Sequence, residues 1–147
     1  MNASPAFPLL LVLAAATACA APPDATTLHL EARRISREAA RGDVVAAVES
    51  GRHSIRVRRT IRLPDPCRTL SGDVRETGAK LTLQVVAEPD GRRCRRAEAY
   101  LAYVARVDDL APGRYDLRVV HAYPGERDST ASEGPVVVLE QAVEVPE

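Results

Sequence analysis

From Val44 onward the apolar residues recur with a period of two, the spacing of a half-buried β-strand. Val44 to Glu49 reads as a strand, with Ser50-Gly51-Arg52 as its turn. In "SIRVRRTIRL" Ile55, Val57, Ile61 and Leu63 fall on one face, and Arg56, Arg58, Thr60 and Arg62 on the other. Arg59 breaks the apolar row, which points to a bulge or to a strand crossing a sheet edge. Pro64-Asp65-Pro66 stops the strand, because proline cannot donate to a ladder. Arg68 to Glu76 is a weaker strand carried by Leu70 and Val74, and Thr77-Gly78-Ala79 turns the chain. Leu81, Leu83, Val85 and Ala87 then alternate with Thr82, Gln84, Val86 and Glu88 until Pro89-Asp90-Gly91, a turn signature. Ala99 to Val107, Arg114 to Tyr123 and Val136 to Val145 complete the series, with a loop of turn formers at Pro124–Pro135. About seven strands at regular spacing, without an internal repeat, predict an all-β fold: a single antiparallel β-sandwich over 44–147.

Residues 28–42 carry two patterns. Glu31 to Arg41 is rich in helix formers and ends at Gly42, a natural residue after a helix, whereas Leu28, Leu30 and Ala32 alternate as in a strand. Helix and strand both stand open for this segment.

The N-terminus follows a different pattern. Residues 1–23 carry no charged side chain, and Leu9 to Ala16 is an apolar run too short to cross a bilayer as a mature helix. The run has the length of a signal-peptide core and is followed by small residues, although no Lys or Arg precedes it. Ala18-Cys19-Ala20 and Ala16-Thr17-Ala18 are both A-x-A-like cleavage sites. Ala16-Thr17-Ala18-Cys19 also resembles the lipobox of bacterial lipoproteins, with Ala16 where that family usually has Leu. The resemblance implies that 1–18 is a lipoprotein signal peptide, that Cys19 becomes the lipidated N-terminus, and that the protein is membrane-anchored in the cell envelope. Without lipidation the chain would be secreted. The small, Pro-containing segment that follows suits a tether, so 19–43 is expected to be tether plus an N-terminal segment of uncertain structure.

Export bears on the other cysteines. An odd thiol is a liability in an oxidising compartment, and lipidation or removal of Cys19 leaves Cys67 and Cys94 as an even pair. They flank the Arg68–Ala87 hairpin. With the turn near Gly78, Cys67 lies opposite roughly residue 90, so the two can meet at the hairpin's open end. A disulfide is the favoured reading, its loop closure worth ~3.5 kcal/mol. The competing reading is a reactive Cys94 activated by Arg92, Arg93, Arg95 and Arg96, but no neighbouring His completes a nucleophile–base pair.

"LAPGRYDLRVV" resembles the strand–turn–strand corner of immunoglobulin-like and fibronectin type III-like modules, and transthyretin-like modules use a similar phrase. The resemblance covers about a dozen residues. It implies an immunoglobulin-like sandwich in which Leu110 plugs the core and Pro112-Gly113 makes the turn. Tyr115 would bury its ring while its hydroxyl returns to nearby backbone, as in a tyrosine corner.

Composition narrows the function. Lys+Arg and Asp+Glu are both 20, so no global field draws the chain to nucleic acid. Aromatic residues are 3%, with no Trp, which argues against sugar or single-strand binding by stacking. No two of His29, His53 and His121 have metal-ligand spacing, so no metal and no cofactor are expected. His121 shares parity with Tyr115, Leu117 and Val119, and reads as a hydrogen-bonded histidine at the rim of an inner face. Asp108, Asp109, Glu126, Asp128 and Glu133 lack calcium-loop spacing and read as solvated loop acids. The Arg56/Arg58/Arg62 face and the Arg92–Arg96 run read as solubilising surface.

No catalytic motif is present, and the expected role is non-enzymatic: a protein-binding or structural module with an unidentified envelope protein as partner. The alternatives are a protease inhibitor using the Pro124–Pro135 loop, and a small envelope hydrolase using His121 with loop carboxylates.

Overall fold

A computed structural model describes residues 26–42, 46–125 and 134–147. The leader with Cys19, the start of the Val44 strand and the acids Glu126, Asp128 and Glu133 lie outside the described residues.

The chain is an all-β sandwich of eight strands and one short helix: β1 (Thr27–Ile35), α1 (Arg37–Gly42), β2 (Ala47–Gly51), β3 (Ser54–Leu63), β4 (Arg68–Thr77), β5 (Lys80–Pro89), β6 (Ala99–Asp108), β7 (Gly113–Ala122) and β8 (Val136–Val145). One sheet has the order β1-β6-β3-β2, the other β4-β5-β7-β8. Residues 28–42 therefore hold both of the patterns read from them, strand first and helix second. The sandwich begins at Thr27 and not at 44, because the alternating Leu28 and Leu30 pair with Val107 and Ala105 and pack on the core. All pairings are antiparallel except β5–β7, which is parallel, so the second sheet is mixed.

The alternation seen in the sequence is the burial pattern. Ile55, Val57, Leu81, Leu83, Val85, Ala105, Val107 and Val119 are sealed between the sheets. Each such side chain contributes about 1.5–3 kcal/mol by leaving water. The connection from β1 to β2 runs between opposite edges of the first sheet. It passes through α1, where Ser36 caps the helix by accepting the Ala39 amide at 3.1 Å and Ala40 is the buried residue.

The two ends of the sandwich differ in construction. At one end lie the tight turns 52–53 and 78–79 and the corner between β6 and β7. Gly78 has φ 60°, as the reversal there requires. Tyr115 is buried and its hydroxyl donates to the Ala111 carbonyl at 3.0 Å, with Leu110 sealed beneath. Gly113 has φ 144°, open to a residue without Cβ. His53 (φ 58°) latches the β2–β3 turn onto the corner. Its Nδ1 lies 3.0 Å from the Leu110 carbonyl, and its own carbonyl accepts the Leu110 amide at 3.1 Å. At the other end, Cys67 and Cys94 form a disulfide with Cα atoms 5.8 Å apart. The Arg68↔Pro89 register and the Asp90 amide on the Cys67 carbonyl at 2.9 Å bring them together.

Candidate functional site

Three side chains of that second end form a polar cluster between the sheets. β3 runs in unbroken register with β6 through Arg59↔Tyr103, so Arg59 marks neither a bulge nor an edge crossing. It points inward with the apolar row. β2 pairing begins at Ala47↔Arg58, so Arg59 sits just beyond the stretch that β2 covers, where a long cation can reach past the core. Its Nη1 donates to the Val138 carbonyl at 2.7 Å, and its Nε is buried without a hydrogen-bond partner among the described residues.

The bulge expected at Arg59 lies in β8 instead. Val119 pairs with Leu139 and Val120 with Val137, which leaves Val138 as the extra residue. A carbonyl released from the ladder there becomes the acceptor for Arg59.

His121 is not at the rim. It is 4% exposed on the inner face of β7, with Nε2 2.9 Å from the Tyr103 hydroxyl and Tyr123 edge-on to its ring. Burial, and then the Arg59 charge, lower its pKa to about 4, so the imidazole is neutral at pH 7. The same burial pushes the Tyr103 phenol up. Two neutral rings beside one cation make a positioning device for β8.

Asp108 and Asp109, two of the carboxylates considered for a hydrolase with His121, do not meet it. Asp108 pairs with Arg106 at 2.8 Å, and Asp109 accepts from Thr27 Oγ1 at 2.7 Å, both at the corner end. β7 separates that corner from His121 by roughly 26 Å at the usual strand rise. Among the described residues no three His, Cys, Asp or Glu side chains converge as metal ligands.

Outside the cluster lies the N-terminal half of β8. Val136 pairs with His121, and Val137 with Val120. They are 44% and 38% exposed, the large apolar side chains that the described surface leaves in water. Among the described residues β8 is an edge strand with only β7 hydrogen-bonded beside it, and Val136-Val137-Val138-Leu139 carries no charge or proline. The other edges are blunted. β2 is short, whereas β1 and β4 carry charges and lie against each other, Gly72 leaving room for Leu28. Nothing in the period-two pattern distinguished β8 from the other strands. The four-residue apolar run was the one signal available.

Compared with family models, curated proteins and solved structures, the chain matches none.

Proposed function

We propose that the protein is an exported, non-enzymatic binding module of the cell envelope, lipid-anchored through Cys19, that pairs the free edge of β8 with an extended segment of a partner protein. The exposed Val136 and Val137 on the uncharged N-terminal half of the β8 edge carry this reading. An incoming strand would gain backbone hydrogen bonds along β8 and shield both valines. The Arg59 hydrogen bond to Val138 holds the bulge in place before binding, which lowers the ordering cost. The expected immunoglobulin-like character draws support from the Tyr115 corner. No described helix is long and apolar enough to cross a membrane, so in this reading anchoring falls to the lipid.

Site-specific photo-crosslinking in the producing cell tests the edge. A crosslinker at Val137 should give one discrete adduct with an envelope protein, and the same group at Ser71 on β4 should give none. Equal labelling at both positions, or none at Val137, refutes the edge as the binding surface. Cys19→Ala followed by membrane fractionation tests the anchor; a variant that stays membrane-bound with its leader still processed refutes lipidation.

A further inference from the structure

A second feature of the disulfide end is independent of β8. Arg34 from β1 and Arg37 from α1 line a cleft with Ile35, Pro66, Glu98, Ala99 and Tyr100, and Arg62 from β3 reaches its Glu98. Arg37 and Arg62 share one loop carboxylate. Glu98 Oε1 accepts from Arg62, while Oε2 accepts from the Tyr100 hydroxyl at 3.0 Å and lies 3.5 Å from Arg37 Nη2. The Tyr100 hydrogen bond, followed by the charges of Arg62 and Arg37, holds the Glu98 carboxyl below the usual carboxylate range. Arg34 donates to the Pro66 carbonyl, an uncharged partner. Arg92, the next cation, is engaged by Asp90 at 2.6 Å and is not available.

The arrangement is a set of donors from three elements placed around an anion, with that anion supplied by the chain itself. Arg37 and Arg62 against Glu98 leave one positive charge, and Arg34, whose charge also reaches Asp90, stands on the same cleft. A guanidinium matches phosphate oxygens two at a time, and a phosphate monoester carries close to two negative charges at neutral pH. We propose that this cleft binds a phosphate monoester, which displaces Glu98 and is held by Arg34, Arg37 and Arg62. The Glu98 side chain is an internal occupant that competes with the ligand and sets a threshold for its binding.

Calorimetric titration of the full chain with inorganic phosphate and with glycerol 3-phosphate, at pH 7.5 and fixed ionic strength, tests this. One saturable site is expected. Tighter binding of the ester identifies a lipid headgroup as the source, and tighter binding of the free ion identifies dissolved phosphate. Arg37→Gln or Arg62→Gln should each weaken binding about tenfold. Glu98→Gln should strengthen it about fivefold, a gain that misfolding cannot imitate. Arg93→Gln and Arg95→Gln, on the exposed loop nearby, should change little. The proposal is overturned if neither probe saturates, if Glu98→Gln fails to tighten binding, or if the loop variants weaken it as much as Arg37→Gln does.

Discussion

The two ends of this sandwich solve the same closure problem by different means. At the corner end the connections are two-residue turns and one tight corner, held by backbone groups and by hydrogen bonds that Tyr115 and His53 send back to it. At the disulfide end the loops are longer, and a covalent bond, the buried Arg68 and the Arg59–Tyr103–His121 cluster do the holding. Arg68 donates to Asp65 at 3.0 Å, to the Ala87 carbonyl at 2.9 Å and to the Pro124 carbonyl at 3.1 Å, and so ties two connections to β5. Short turns leave no free side chains, so the corner end offers fold and little else. Long loops need cross-links, and the groups that supply them also place arginines, a histidine and an open strand edge within reach of ligands.

The largest expected effect comes from the disulfide. Replacing Cys67 and Cys94 with Ser should lower the unfolding free energy by about 3.5 kcal/mol, measured in urea. A variant as stable as the parent would show that Arg68 and the β4–β5 ladder hold this end without the bond.

The second effect is a pH dependence confined to the same end. His121 has a folded pKa of about 4, below the unfolded value of 6.5, so the unfolded chain takes up its proton first as pH falls. Its contribution is fully present above pH 6.5 and is lost progressively down to about 4. The slope is at most about 1.4 kcal/mol per pH unit, and the total is about 3 kcal/mol. His121→Gln, which can still meet the Tyr103 hydroxyl, should flatten stability between pH 4 and 6.5. A slope unchanged by that substitution would exclude His121 as its source. Asp90 and Glu98, whose carboxyls are lowered by Arg92 and by Tyr100 respectively, lose their contributions from the foot of this window downward.

The smallest effect lies at the corner. Tyr115→Phe keeps the ring and removes one hydrogen bond, for an expected loss of about 1 kcal/mol by denaturant titration. A loss as large as that of the disulfide would put the two ends on an equal footing and erase the contrast between them.

The tyrosine corner was legible because the Tyr115 hydrogen bond to Ala111 joins residues close in sequence, whereas the His53 latch joins distant ones and was not read. Leu110, Pro112, Gly113 and Tyr115 lie within six positions, and a local phrase can specify local geometry. The Cys67–Cys94 pair was legible for a related reason, since a hairpin folded at Gly78 converts sequence distance into register. Arg59 and His121 were misread because their partners come from other strands. An inward arginine looks like an error until Val138 of β8 accepts from it, and a histidine at the end of a strand looks exposed until Tyr103 of β6 covers it. Sequence parity says which face a residue occupies but not what the opposite sheet places against it.

The amino-acid sequence alone determined that the chain forms strands, which face of most of them is buried, where the turns fall and which cysteines can pair, because alternation, turn chemistry and hairpin register act over a few residues at a time. The tertiary structure decided that β5 and β7 run parallel, that the uncharged N-terminal half of β8 lies on a sheet edge, and that Arg37 and Arg62 share one carboxylate. Those outcomes depend on strand order and on contacts between residues far apart in the chain, which no local pattern encodes.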